Sequence, residues 1–446
     1  MSLPGWVWSV SRHSPRRRLS RSVGEYDAVS LGMRTRVERT NVEKRLRRVA
    51  DAYGRVLVLV VAALPAGVAA GAADALFGRV LLAVSGVRAG WPLLTVPFLA
   101  VTGALTAWAY RRFGKGAERG MGLVFGAAHG RDQQIPLRLV PLVMASTWLT
   151  HLTGGSAGRE GVAVQIGATL SHWLGRRLPL RNAAPTFAVV GMAAGFAGLF
   201  RTPLAATVFA LEVLAVGRLR YEALAPALAA SLVASATSGA LGLAKFEVAV
   251  APLAALDAPA TLRLTFAGLA FGVAGGVFAW LLSRGKSVAA RLLPNPVVRA
   301  AAMGAGLSVV LLVLWGGRYC GLGTNLIEAA IAGAGQDVLP WDWVLKLALT
   351  VLTLSAGYQG GEVTPLFSIG ACLGVALAGP LGLPVALAAA LGYAAVFGAA
   401  TNTFLAPLLI GGEVFGWANL PTFFVVCAAA YLFNMGKTIY AGQLPG

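Results

Sequence analysis

The amino-acid sequence predicts an all-α polytopic membrane protein built from two related halves, with broken and re-entrant helices between its spans. Three observations predict it. The 446 residues are 57% hydrophobic and only 12% charged, roughly half the charged fraction of a soluble domain, and mean hydropathy is +0.71. Apolar runs long enough to cross a bilayer alternate with shorter apolar pieces led by glycine. The short pieces then recur in the same order in the second half of the chain. The 56 glycines suit helices that pack backbone to backbone in a membrane.

The elements follow in order. Residues 1–54 form a basic N-terminal segment: of the net +19, a net +8 lies in the first 50 residues, where twelve Lys/Arg stand against four Asp/Glu. Its runs are Arg16-Arg17-Arg18, Lys44-Arg45 and Arg47-Arg48. Such runs can bind nucleic acid, but ahead of a membrane span they hold the N-terminus on the cytoplasmic side against anionic headgroups. Residues 1–32 lack an apolar stretch of signal-peptide kind, and Met33 offers a second start.

From Arg55 the apolar segments run 55–83, 91–110, 135–153, 185–216, 221–243, 262–283, 297–315, 340–357, 383–400 and 420–433. The first half covers 55–245 and the second 260–446, within one membrane domain over 55–446. Between the segments lie Gly120–Gly130, Glu160–Leu174, Gly321–Gly333 and Glu362–Ala378, each short for a span of about 20 residues. Interrupted helices persist at membrane depth only where protein or a cavity satisfies their backbone. Their N-terminal N–H groups attract anions, so four such starts predict an anion site inside the bilayer.

The duplication is visible in the motifs. Gly120-Met121-Gly122-Leu123 is followed by the stretch Gly154–Ala168 and then by Gly191-Met192-Ala193-Ala194-Gly195. In the second half Gly321-Leu322-Gly323-Thr324 is followed by Gly360–Ala371 and then by Gly392-Tyr393-Ala394-Ala395-Val396. Matching interruptions in two halves point to a transporter site at their interface. Pattern alone leaves the relative orientation of the repeats open.

Other chemistries find little support. Cys320, Cys372 and Cys427 form no CxxC pair, and His13, His129, His151 and His172 form no HExxH, so the expectation is no metal site and no cofactor. The sequence contains no GxxxxGK[ST], which removes the signature of ATP drive. An intramembrane enzyme would need a nucleophile and base, and no histidine is spaced as a partner for Ser156. Trp315, Trp341, Trp343 and Trp417 read as lipid-facing or interface anchors.

The motifs together resemble the CLC family of chloride channels and proton-coupled anion exchangers. The resemblance rests on Gly158-Arg159-Glu160-Gly161 with Gln165-Ile166-Gly167, on the run Ala193–Ala205 that contains Gly195-Phe196-Ala197-Gly198 and Arg201-Thr202-Pro203-Leu204, and on Phe209-Ala210-Leu211-Glu212. Gly323-Thr324-Asn325-Leu326-Ile327 and Gly436-Lys437-Thr438-Ile439-Tyr440 complete it, in family order across nearly the whole membrane region. Departures from the chloride pattern resemble the fluoride/proton antiporter branch. Met121 stands where chloride members have an ion-facing serine, Gly361-Glu362-Val363-Thr364-Pro365 replaces a GGIFAP-like stretch, and Val162 replaces a proline.

The resemblance implies an exporter of fluoride in exchange for protons, in the inner membrane of a bacterium and as a homodimer with one pathway per subunit. Contacts between copies are expected around 203–243 and 405–433. The implied ion path runs past Met121 and Gly122, past Arg159, Gly161 and Val162 beside Glu160, and past Val363, Thr364 and Tyr440. Glu160 is the proton-coupled gate. A carboxylate at a half-helix start can mimic an anion while ionised and yield its place when protonated. Its structural alternative is a helix cap paired with Arg159. Glu362 is read as a second proton-coupling or ion-coupling group holding Thr364, the alternative being a carboxylate that complements the helix dipole. Thr364 donates its hydroxyl to a small hard anion or simply caps a helix. Met121 is core filling or a lining that offers polarised methyl hydrogens in place of a hydroxyl, and Tyr440 is an ion-facing hydroxyl or an interface aromatic. Val213 stands where chloride exchangers carry a second glutamate, next to a Glu212 read as structural. With Tyr440 close to the end of the sequence, no cytoplasmic regulatory domain is expected. The partners are thus fluoride, protons and lipid, with no nucleic acid. A chloride or other anion channel or exchanger of the same family is the alternative.

Overall fold

The computed structural model describes residues 23–131, 134–332 and 335–445, the stretch 23–49 as helix only. The run Arg16-Arg17-Arg18 lies outside the described residues, and the basic pairs at 44–48 lie in the stretch described as helix only. The chain divides at Leu57 and Val58 into two compact units. The first is helical over its described residues, and the second holds the repeats and the site.

Glycine-led starts and proline breaks cut the apolar chain into helices. In the first half these are α1 (Val23–Gly90), α2 (Pro92–Thr95), α3 (Leu99–Phe113), α4 (Met121–Ala128), α5 (Leu139–Leu152), α6 (Glu160–Gly175), α7 (Ala183–Phe200), α8 (Pro203–Glu212) and α9 (Leu224–Ala240). The second half comprises α10 (Ala258–Leu292), α11 (Pro296–Val313), α12 (Thr324–Ile331), α13 (Asp342–Ala356), α14 (Val363–Leu381), α15 (Val385–Thr401), α16 (Leu405–Phe415) and α17 (Leu420–Leu432). Seven helices among the described residues are long and apolar enough to cross a membrane.

The halves match helix by helix. The eight residues of α4 correspond to the eight of α12, and the 18 of α7 to the 17 of α15. Helix α7 ends on Arg201 in the left-handed region and α15 ends likewise on Asn402. Helix α6 runs toward Arg176 beside the start of α5, whereas α14 runs toward Gly382 beside Arg263 in the first turns of α10. The two short helices therefore point in opposite directions, which settles the repeat as inverted. Inverted repeats of this kind place a transporter's site where the broken helices meet.

Two boundaries differ from the sequence reading. The apolar stretch 185–216 is two helices, because Pro203 cannot continue α7 and instead opens α8 as its first residue. The piece Glu362–Ala378 extends to Leu381 with Pro380 inside its last turn, giving a helix of 19 residues that can span by length.

Packing of the repeats depends on glycine in the way membrane helices require. A Cβ at Gly167 of α6 would collide with the carbonyl oxygen of Gly191 in α7, and one at Gly370 of α14 with that of Gly392 in α15. These equivalent close approaches bring each short helix against its neighbour's backbone. Between the halves an aromatic column fills the core: Phe367 stacks on Tyr393 at 3.9 Å, and Phe196, Phe209 and Phe397 pack around it.

Helices α8 and α16 cap one another. The Glu212 carboxylate, at the end of α8, accepts from the amides of Phe404, Leu405 and Ala406 at 2.6–3.1 Å. The Glu413 carboxylate, near the end of α16, accepts from Leu204 and Ala205 at 3.2 and 2.8 Å. Free helix-start amides are thus satisfied across the two-fold relation.

Candidate functional site

The two glycine-rich starts of α6 and α14 meet at the interface of the halves. Gly158 N–H donates to the Gly361 carbonyl at 2.6 Å and Gly361 N–H to the Gly158 carbonyl at 2.7 Å. This antiparallel pairing brings the first turns of both helices together, with partial positive charge converging from both sides.

Glu160, the first residue of α6, is fully buried. Its Oε2 accepts from the Thr364 amide at 3.1 Å, from the Thr364 hydroxyl and from the Arg159 amide at 3.3 Å. The carboxylate therefore sits on the N-terminus of α14, in the opposite half of the protein. Its Oε1 makes no hydrogen bond and lies 3.6 Å from Arg159 Nε. Arg159 Nε and Nη1 are buried without hydrogen-bond partners, so the guanidinium is held beside the carboxylate with donor capacity to spare.

Here the geometry differs from the sequence reading in two respects. Thr364 gives its hydroxyl to Glu160 rather than to Glu362. Glu362, the residue preceding α14, turns toward Lys286 Nζ at 3.5 Å, with 13% of its side chain exposed. A Cβ added to Gly161 would lie 3.7 Å from Glu362 Oε2, so the second carboxylate borders the first turn of α6 all the same. Val162, four residues past Gly158, and Val363, two past Gly361, are both buried.

A cavity of about 480 Å³ adjoins this junction. Met121, Gly122, Gln165, Glu362 and Tyr440 line it, with Lys286 and Arg299 among its cations. Met121 is the half-buried first residue of α4, placed there by the turn at Gly120, whose φ is +46°. Tyr440 is 5% exposed, with its ring 5.3 Å from Phe125 and 6.3 Å from Phe209, so it belongs to the interior rather than to an interface belt. The structure thus gathers Met121, Gly122, Glu362 and Tyr440 on one cavity and sets Glu160, Arg159 and Thr364 in the buried junction next to it.

Several site residues carried no readable signal. Lys286 sits among alanines and serines on the long α10. Gln165 belongs to the run Gln165-Ile166-Gly167, yet nothing in its spacing marks a side chain that lines the cavity with Oε1 unpartnered. Lys346 of α13 is fully buried and donates to Ser156 Oγ at 3.0 Å and to the carbonyls of Tyr319 and Gly321 at 3.1 and 2.6 Å. It ties the loop ahead of Glu160 to the second half. His151 meets the Ala157 carbonyl at 3.0 Å and Ser156 meets Lys346 and Thr350.

Comparison with known proteins identifies the family and the fold. A family model described as voltage gated chloride channel matches residues 102–435. The chain is 36% identical over 384 residues to a chloride/fluoride channel protein of Pseudomonas syringae pv. tomato, covering 84% of each chain. It is 28% identical over 262 residues to an H(+)/Cl(-) exchange transporter of Salmonella paratyphi A, covering 54% of this chain and 52% of the relative. Among solved structures, a CLC-type fluoride/proton antiporter superposes with a TM-score of 0.86 at 49% identity, over 88% of this chain and 99% of that one. A slow cyanobacterial Cl-/H+ antiporter superposes with a TM-score of 0.73 at 20% identity, over 85% and 95% of the two chains, and shares the fold.

Proposed function

We infer that this chain, which belongs to the voltage-gated chloride channel family, moves fluoride out of the cell in exchange for protons. The observation that carries the reading is the Glu160 carboxylate seated on the amide and hydroxyl of Thr364. Those donors suit a small, hard, strongly accepting anion, and a carboxylate oxygen holds them strongly while it is charged. Protonation weakens that hold and lets fluoride compete for the Thr364 donors. Return of the ionised side chain expels the ion again, so one group ties proton transfer to anion movement.

The surroundings support fluoride over chloride. Met121 and Glu362 on the cavity give a chloride ion neither a serine hydroxyl nor a neutral helix start, and Arg159 beside Glu160 adds positive charge at the junction. Glu362 faces the cavity with Lys286, a position from which it can exchange protons with water on that side. The similarity to a fluoride/proton antiporter over nearly the whole chain points the same way.

Two further parts of the reading concern the molecule's setting. The protein is a multi-span membrane protein, placed in the bacterial inner membrane with its N-terminus in the cytoplasm. It works as a homodimer through α8, α9, α16 and α17, where Leu204, Leu232, Trp417 and Phe424 are exposed.

The test uses proteoliposomes loaded with fluoride or chloride, with ion efflux and external pH recorded together. Fluoride efflux accompanied by proton uptake, with chloride efflux far slower, is the expected result. Glu160→Gln, which keeps the shape and removes the titratable oxygen, is expected to abolish proton uptake. Equal chloride and fluoride fluxes would make the protein a general anion transporter, and fluoride-driven proton movement in the Gln variant would defeat the gate assignment.

A further inference from the structure

The end of the helix bundle where α5 begins and α6 ends carries a surface that transport does not use. Arg138 Nη1 donates to the Phe113 carbonyl at 3.3 Å, which holds the start of α5 beside the end of α3. Three adjoining hollows of about 460, 400 and 400 Å³ run across this end. Arg138 lines two of them, as do Trp173 and Arg176. Their walls carry Arg112, Lys115, Arg138, Arg176 and Arg177 and no Asp or Glu among the described residues. None of these cations is ion-paired with a described carboxylate.

The rim is apolar. Phe113, Leu137 and Trp173 are between 41% and 49% exposed, and the Arg177 guanidinium lies 3.5 Å over the Trp173 ring. Aromatic side chains beside cations at helix ends mark the headgroup level of a bilayer.

His172 supplies an independent observation. It is 5% exposed, and its Nδ1 lies 3.1 Å from the Ala184 carbonyl. A ring that donates through Nδ1 presents Nε2 as an acceptor. That Nε2 is buried without a partner, and His172 lines the same hollow as Arg138 and Arg176. An orphaned acceptor on a residue that shares its hollow with two guanidiniums free of ion pairs calls for a ligand with both negative charge and a hydroxyl donor.

We propose that this hollow binds the headgroup of phosphatidylglycerol, Arg138 and Arg176 taking the phosphate and His172 Nε2 accepting from a glycerol hydroxyl. Guanidinium forks match phosphate oxygens, and basic pockets between membrane helices hold anionic headgroups. The ethanolamine headgroup would bring an ammonium into a site that is already cationic, and serine would bring an ammonium together with a carboxylate. Glycerol alone among these brings a neutral donor.

Native mass spectrometry of the full chain, released from detergent with defined phosphatidylglycerol, phosphatidylserine or phosphatidylethanolamine, tests the proposal. The wild type is expected to retain phosphatidylglycerol over phosphatidylserine, and both over phosphatidylethanolamine. The exposed double variant R138Q/R176Q is expected to lose about thirtyfold in phosphatidylglycerol retention, from two surface cations of the usual strength. His172→Phe is expected to lose the preference for glycerol over serine while still binding anionic lipid. Equal retention of phosphatidylglycerol and phosphatidylserine by the wild type, or full retention by R138Q/R176Q, would overturn the site. Both decisive outcomes are read without the buried variant.

Discussion

Thr364 is the residue on which gate and ion compete. Its amide and hydroxyl both go to Glu160 Oε2, and a hydrogen bond to a charged acceptor contributes about 1.5–3 kcal/mol. Removing the hydroxyl alone separates these two donors. Thr364→Val is expected to slow fluoride transport roughly tenfold or more, whereas Thr364→Ser, which keeps the donor, is expected to retain most of the rate. Stopped-flow fluoride efflux from liposomes of equal protein content measures both, and a Val variant as fast as the Ser variant would show that the hydroxyl plays no part in transport. The types of residue at this site were legible in the sequence, because acidic and hydroxyl side chains at glycine-led helix starts are conspicuous in an apolar chain. Their pairing was not. Glu160 and Thr364 are separated by 204 positions, and a helix-start glutamate most simply reads as belonging to its own helix's amides. Lys286 was invisible for a different reason: one lysine near the end of a long helix has the look of a solvated cation until the fold brings Glu362 to it.

At the scale of elements, the short helices are held in place by groups borrowed from the opposite half. Glu212 satisfies three amides at the start of α16 and Glu413 satisfies two at the start of α8. A buried amide left unpaired costs about 1–3 kcal/mol, so both carboxylates stabilise the fold through the helix they face. Glu212→Ala is expected to lower the melting temperature more than Glu413→Ala, since Glu212 is the more buried and serves more amides. Thermal unfolding in detergent followed by size-exclusion chromatography gives the order. Proton coupling per fluoride moved is expected to stay unchanged in both. A coupling change in Glu212→Ala would instead give that residue a part in the proton path, next to the buried Val213. The structural reading of Glu212 came from the sequence, but its partner did not, because a reciprocal cap needs the inverted orientation of the repeats to be known. The merged stretch 185–216 shows the opposite failing. Pro203 was present as a break signal, and the apolar run on both sides of it outweighed the signal.

For the membrane-embedded unit as a whole, orientation follows from where the charges fall. Arg111 and Arg112 stand in the last turn of α3 with Lys115 and Arg119 between it and α4, Arg176, Arg177 and Arg181 lie between α6 and α7, and Arg284, Lys286, Arg291 and Arg299 about the turn from α10 to α11. Arg111 reaches Asn295 at 3.4 Å, and Arg220, just ahead of α9, donates to the Ala128 carbonyl at the end of α4. All these connections therefore share one end of the bundle. Helix α9 then carries the chain across to residues 241–257, where Lys245 is paired with Glu247 at 2.8 Å and Asp257 caps α10. Short loops rich in Lys and Arg stay in the cytoplasm, so the cavity lined by Met121, Glu362 and Tyr440 is expected on the cytoplasmic side, with Glu160 as the barrier beyond it. Fluoride accumulated in the cell then meets the Met121 cavity first, and the proton that releases Glu160 arrives from the opposite side, the direction an exporter driven by proton entry requires. Single cysteines replacing Arg177 and Leu256, both at exposed positions, test this in intact cells, because Cys320, Cys372 and Cys427 are buried. A membrane-impermeant maleimide is expected to label the cysteine at position 256 from outside and the one at 177 only after the membrane is opened. The reverse pattern would turn the transporter over, and the cavity would then receive fluoride from outside the cell, a direction incompatible with export through the gate described.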